Sequence, residues 1–245
     1  MFRLINLYVI GPAGSGKSTL VNSLGGWMKS RGYCVSRINL DPGIESICYP
    51  ADFDVREYVT VTALMRKEQL GPNGALIRAA EIVEEKLEEI SERIESSGAD
   101  FRIFDTPGQM EIFLFRRFGP SLISRIAGRS VCIFTIDPSL VSTMLDVPVV
   151  KLLALIMELR LGIPTLEVIT KSDLHSAPPP WSALEGAYIA QAEGLSGELA
   201  SSLASIVGEL EKKRRLIPVS SKTGDGMEDL YKAIGELFCS CGDLT

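Results

Sequence analysis

The residues best suited to chemistry lie near the start of the chain, in Gly11-Pro12-Ala13-Gly14-Ser15-Gly16-Lys17-Ser18-Thr19. Their spacing fits G-x-x-x-x-G-K-[ST], the pattern of a loop that holds phosphate. Glycines allow successive backbone N–H groups to converge on one concavity. The helix that follows adds the positive end of its dipole. Gly14, Ser15 and Gly16 then form the cradle, Lys17 reaches the β- and γ-phosphates as a point charge, the Ser18 hydroxyl is placed to ligate Mg²⁺, and Thr19 can donate to the α-phosphate. The apolar run Leu4 to Ile10 precedes the loop and Leu20-Val21-Asn22-Ser23-Leu24 follows it. The local order is therefore strand, turn, helix.

Four further stretches offer groups that would complete such a site. Asp41 ends an apolar run at Asp41-Pro42-Gly43; it is either a turn residue or a carboxylate facing Mg²⁺ and the attacking water. Asp105 ends another run and opens Asp105-Thr106-Pro107-Gly108-Gln109-Met110-Glu111. It is placed as a second acidic group near Mg²⁺, through water. The Gly108 N–H can approach a γ-phosphate because no Cβ intervenes. Gln109 could orient water, and Glu111 could polarise it or hold Gln109. Thr170-Lys171-Ser172-Asp173 follows a third run. Asp173 can accept from both N1–H and the 2-amino group of guanine, a donor pair that adenine lacks. The Lys171 stem can lie over base and ribose. A plain strand-end turn is the other reading of that stretch. Ser220-Ser221-Lys222-Thr223-Gly224 resembles a loop whose backbone, around Ser221 and Lys222, contacts the guanine O6.

The elements that must position these groups alternate in type. Strands are expected at 4–10, 33–40, 100–104, 129–137, 166–170 and 216–219, and helices at 17–31, 55–69, 75–96, 142–161 and from 226. The connection between the second and third strands is long and helical, so a parallel crossover is expected there. Within it, Leu76, Ala80, Val83, Leu87, Ile90 and Ile94 recur in steps of four and three, flanked by glutamates. Such a seam packs either on its own domain or also against a second subunit. The expected architecture is α/β, a three-layer P-loop NTPase fold with a mostly or wholly parallel six-stranded sheet. It would be one domain over 1–245 with helical insertions at about 42–98 and about 175–214, the second a lid.

Composition excludes several classes. A formal net charge of −6 argues against broad nucleic-acid binding; Lys212-Lys213-Arg214-Arg215 reads as a solvated helix end. No apolar run is long enough to span a membrane, and no leader pattern precedes the first strand. One histidine, His175, leaves little room for histidine-based catalysis or metal binding. Five scattered cysteines fit a reducing cytoplasm. Cys34 and Cys132 read as small hydrophobes, and Cys239 with Cys241 lacks a second pair to complete a metal site.

Taken together, these motifs resemble those of P-loop GTPases in order, over most of the chain. Thr170 departs from the pattern, since most such proteins carry Asn there. The parallel crossover, Asp41 and the stretch from Asp105 to Gln109 resemble the SIMIBI class, with its signal-recognition and MinD-like members. Gly71-Pro72-Asn73, lying between Asp41 and Asp105, resembles the signature of the GPN-loop GTPases. The lack of a long acidic tail points to the short archaeal-type members. The resemblance implies GTP hydrolysis with Mg²⁺ by a cytoplasmic homodimer, in which Gly71, Pro72 and Asn73 reach the partner's site. It also implies nucleotide-switched action on a protein assembly client. Asn73 could instead cap the helix that follows it. A phosphate loop alone would also allow an ATP-dependent enzyme such as a kinase, and a switched binding module would need turnover only for resetting.

Overall fold

The computed structural model describes residues 4–140, 146–174, 198–199, 202–203, 205 and 216–238. Ile5–Ile10 (β1) is buried along its whole length, as a strand covered on both faces by helices must be. It pairs in parallel with Phe101–Asp105 (β4) on one side and Arg129–Ile136 (β5) on the other. Val35–Asn39 (β2) lies outside β4, while Thr165–Ile169 (β6) and Leu216–Pro218 (β7) extend the other edge. Among the described residues the sheet has seven strands rather than six, in the order β3-β2-β4-β1-β5-β6-β7, and every pairing is parallel. The additional strand, Phe53–Asp54 (β3), pairs Ile38 with Phe53 and Asn39 with Asp54. Two residues are too few to carry a period in the sequence.

Alternate residues of the sheet serve two cores. Ile5, Leu7 and Val9 face Lys17–Ser30 (α1) and Met227–Glu236 (α8), whose Leu20, Leu24, Leu230 and Ile234 complete that layer. Tyr8, Ile10, Phe104 and Phe134 face the opposite layer. That layer comprises Val61–Glu68 (α2), Pro72–Glu85 (α3), Leu87–Glu95 (α4), Met110–Phe115 (α5), Phe118–Arg125 (α6) and Asp146–Leu161 (α7). Three layers and the parallel crossover therefore agree with the sequence. Among the described residues no helix is long and apolar enough to cross a membrane.

The insertion differs in detail. The helix expected at 55–69 is a short 3₁₀ turn at Val55–Glu57 followed by α2, which begins where the Thr60 hydroxyl caps the Ala63 N–H at 3.2 Å. The long helix is broken at Lys86 (φ −101°, ψ 12°) into α3 and α4. All six seam residues remain buried. Leu76 and Ala80 meet Ile112 of α5, and Val83, Leu87, Ile90 and Ile94 join the main core. The seam is thus used within the chain. Gly71 is the N-cap of α3 and Pro72 its first residue, where a fixed φ and a missing N–H suit the helix start. Asn73 is therefore in the first turn, not the capping position, and is exposed.

Cys132 is buried but Cys34, just before β2, is exposed, unlike the small hydrophobe expected there. His175, Lys212 to Arg215, Cys239, Cys241 and most of 175–214 lie outside the described residues.

Gly226 starts α8 with φ 79°, and a Cβ there would lie 1.9 Å from the Pro218 carbonyl oxygen at the end of β7. Gly226→Ala must displace backbone as well as adopt a disfavoured φ. It should lower unfolding free energy by about 2 kcal/mol or more, measured as a lower denaturant midpoint at unchanged slope.

Candidate nucleotide-binding site

In an all-parallel sheet the carboxyl ends of the strands share one edge, where ligands bind in open α/β folds. The loops after β1, β2, β4, β5, β6 and β7 all leave from that edge. They carry the phosphate loop, Asp41, the stretch from Asp105 to Glu111, Thr170 to Asp173 and Ser220 to Gly224, but not Gly71-Pro72-Asn73.

The phosphate loop is built from backbone geometry and braced from the side. Gly14 and Gly16 have φ of 78° and 86°, the left-handed region that side chains disfavour. Ser15 is fully buried, and its hydroxyl hydrogen-bonds that of Thr135 on β5 at 2.8 Å. The Thr170 hydroxyl donates to the Ser15 carbonyl at 2.7 Å and to Ile136 O at 3.2 Å. Lys171 has φ 56°, and its ammonium crosses the loop to donate to Gly14 O at 2.9 Å and Asp137 Oδ2 at 2.6 Å. Burial pushes the Asp137 carboxyl up, but hydrogen bonds from Lys171 and Ser139 outweigh it and hold the group below the ordinary carboxylate range. Lys17 is buried and donates to Pro12 O at 2.9 Å. Burial lowers its pKa, opposed by the nearby carboxylates of Asp105 and Asp41.

Those two carboxylates sit differently. Asp41 Oδ1 accepts from Gly43 N at 2.8 Å and its Oδ2 from Gly108 N at 3.3 Å. It links the loop after β2 to the loop after β4, so it is more than a turn residue. Gly108 lies against Ala13 of the phosphate loop. Asp105 is 1 % exposed; its Oδ2 accepts from the buried Tyr49 hydroxyl at 2.9 Å. Its Oδ1 is buried with no well-aligned donor, although the Ser18 hydroxyl neighbours the carboxylate. An orphaned carboxylate oxygen beside a hydroxyl fits a hard divalent cation. Burial pushes the Asp105 pKa up to about 6, against the opposing pull of Ser18, Tyr49 and Lys17. Among the described residues no group of three or more His, Cys, Asp or Glu could hold a metal, so a cation here would take the remaining ligands from phosphate and water.

The loops after β6 and β7 also meet. The buried Ser220 donates from its hydroxyl to Asp173 Oδ1 at 2.7 Å and accepts from the N–H groups of Lys222 and Thr223 at 3.3 and 3.1 Å. Ser221 is half-buried, while Lys222 and Asp173 are exposed, as is Thr19 on α1. Gln109 and Glu111 are exposed and line a groove with Asn73, Ile77, Phe115 and Arg116 of the same chain. Sequence reasoning missed Thr135, Asp137, Tyr49 and the role of Ser220. Asp137 carried a signal, since it ends a strand as Asp41 and Asp105 do; Tyr49 carried none.

A family model described as "Conserved hypothetical ATP binding protein" matches residues 9–240. A GPN-loop GTPase of Pyrococcus abyssi is 35 % identical over 96 % of this chain and 98 % of its own length. GPN-loop GTPase 1 of Dictyostelium discoideum is 27 % identical over 94 % of this chain, which spans 61 % of that longer relative. The crystal structure of a Pyrococcus abyssi GTPase in apo form superposes with a TM-score of 0.89 at 32 % identity, covering 97 % of this chain and 98 % of that one.

The raised Asp105 pKa has a signed consequence. The folded state binds this proton more tightly than the unfolded state, so stability falls as pH rises from about 4 through 6. Asp105→Asn should stabilise the nucleotide-free protein above pH 6 by up to about 3 kcal/mol, and the gain should shrink toward pH 4. Melting temperatures across that range test it, with weaker Mg²⁺-dependent nucleotide binding as the expected functional cost.

Proposed function

Because the chain belongs to the GPN-loop GTPases, we propose that it binds GTP and hydrolyses it to GDP and phosphate with Mg²⁺. The observation that carries this reading is the joining of Asp173 to the buried Ser220 behind a braced phosphate loop. Asp173 lies in the short turn Ser172–Leu174 that follows β6, and its carboxylate would accept the N1–H and 2-amino donors of guanine. The family model's own description speaks of ATP, but adenine offers no such donor pair.

In the proposed reaction water attacks the γ-phosphorus in line, the bond to the β–γ bridging oxygen breaks, and GDP leaves. Gly14, Ser15, Gly16 and Thr19 hold the phosphates and Lys17 offsets their charge. Ser18 and Asp105, with Asp41, would hold Mg²⁺, which supplies further charge to the phosphate oxygens. Asp41, fixed between two loops, and Gln109 with Glu111 orient and polarise the water, while the Gly108 N–H faces the γ-phosphate. Asp173→Asn should weaken GTP binding more than tenfold, at about 1.4 kcal/mol per decade. It should raise relative affinity for xanthosine triphosphate, whose extra carbonyl needs a donor. Titration calorimetry on the unsubstituted protein would reject the guanine assignment if ATP bound as tightly as GTP.

We also propose a homodimer in which Gly71, Pro72 and Asn73 reach the partner's site, with the nucleotide cycle switching affinity for a protein assembly client. Exposure of Asn73 in the first turn of α3 supports its availability. A second reading has Asn73 act within its own chain, favoured by the groove it shares with Gln109 and Glu111. Mixing Asn73→Ala with Lys17→Ala subunits separates them. In trans, the heterodimer regains one competent site, because the Lys17→Ala subunit still offers Asn73 to an intact phosphate loop. In cis, turnover stays at the sum of the two mutants despite confirmed heterodimers.

A further inference from the structure

Asp54 and Arg56 lie outside every nucleotide motif, yet their side chains hold the chain before and after Asp41. Asp54 is the second residue of the short strand β3. Arg56 Nε lies 3.0 Å from both Asp54 carboxylate oxygens, its Nη2 is 2.6 Å from Oδ2, and its backbone N–H donates to Oδ1 at 2.9 Å. A planar fork on a carboxylate fixes orientation as well as charge. The remaining arm, Nη1, donates to Glu45 O at 3.0 Å and Ile44 O at 3.3 Å. These carbonyls lie three and four residues past Asp41. On the other side, the fully buried Asn39 donates from Nδ2 to Asp54 Oδ1 at 2.9 Å, and its Oδ1 accepts the Asp41 N–H at 3.1 Å.

The chain segment carrying Asp41 is thus tied to one carboxylate from both directions, through Asn39 before it and Arg56 after it. Hydrogen bonds hold the Asp54 carboxyl below its usual range despite partial burial, so it stays charged at neutral pH. Asp41 in turn accepts the Gly43 and Gly108 N–H groups. Any play in the segment would move that carboxylate relative to the loop after β4.

We infer that Asn39, Asp54 and Arg56 form a clamp that positions the Asp41 carboxylate between the two loops, and that Asp54 and Arg56 are positioning residues for hydrolysis. The inference rests on the proposed role of Asp41 in orienting water. It also explains why the sheet adds a two-residue strand: pairing Asn39 with Asp54 sets the carboxylate beside the carboxamide.

Arg56→Lys tests it, because lysine keeps the charge but cannot fork onto Asp54 and reach two carbonyls together. Amide-proton exchange of the nucleotide-free variant should speed up at Gly43 and Gly108, the two N–H groups that Asp41 holds, while the amides of β1 keep their protection. Turnover should fall about tenfold with KM changed less than about twofold, since positioning of water matters mainly in the transition state. Asn39→Ser, which cuts the other arm, should give the same pattern and serves if Arg56→Lys folds poorly. Unchanged exchange at both glycines would overturn the clamp. Faster exchange there with unchanged turnover would leave the clamp standing and overturn the role of Asp41 in hydrolysis.

Discussion

Parallel pairing of β1 between β4 and β5 is the constraint from which the rest follows. A parallel strand must leave the sheet, cross it and return, so each strand ends at the same edge and each connection becomes a helix layer. The two cores interleave on β1, with Leu7 and Val9 facing one layer and Tyr8 and Ile10 the other. The phosphate loop therefore starts from a strand buried along its whole length, and its neighbours brace it on both sides. Thr106 on the β4 side donates to Val9 O at 2.9 Å, and Thr135 on the β5 side hydrogen-bonds Ser15. Donors aligned in advance for phosphate need such bracing, because a loop free to relax would lose that alignment.

Burial sets the electrostatics. Lys17, Asp105 and Asp41 lie close enough to influence one another, and desolvation is the largest influence on both Lys17 and Asp105. Each of the two buried ions alone is costly. Together they partly offset each other, and Tyr49 satisfies one oxygen of Asp105 while no well-aligned donor meets the other. A nucleotide and cation bound there as proposed would relieve that cost, which would couple ligand binding to stability.

Residues whose place in the fold depends on local spacing were legible in the sequence. The phosphate loop, Asp41, Asp105, Gly108, Thr170, Lys171 and Asp173 all fall at the carboxyl edge because each ends or follows an apolar run long enough to read as a strand. Residues that act across the fold were not legible. Tyr49 reaches Asp105 over 56 positions, and Ser220 reaches Asp173 over 47. No window of sequence contains both partners. Strand β3 was missed because it is two residues long and its partners, Ile38 and Asn39, lie fifteen positions away. Lys86 shows the converse limit: the heptad steps continue through it, yet the helix breaks, because the apolar positions can all stay buried on two shorter helices.

Thr170 is the one motif position that departs from the common pattern, and the geometry accommodates it. A carboxamide at this place brings two N–H donors; a hydroxyl brings one proton. That proton points to Ser15 O at 2.7 Å and can be shared with Ile136 O at 3.2 Å, so the shorter bond falls on the phosphate loop. Ile136 O does not depend on it, since it also accepts the Thr170 backbone N–H at 3.0 Å. The β-branched side chain stands opposite Gly16, where an added Cβ would sit 3.7 Å from Thr170 Cβ. Its bulk fills space that the glycine leaves open, while its fixed χ1 keeps the hydroxyl on the loop. A threonine can therefore hold the phosphate loop against β6, while Lys171, the next residue, ties the same loop to Asp137.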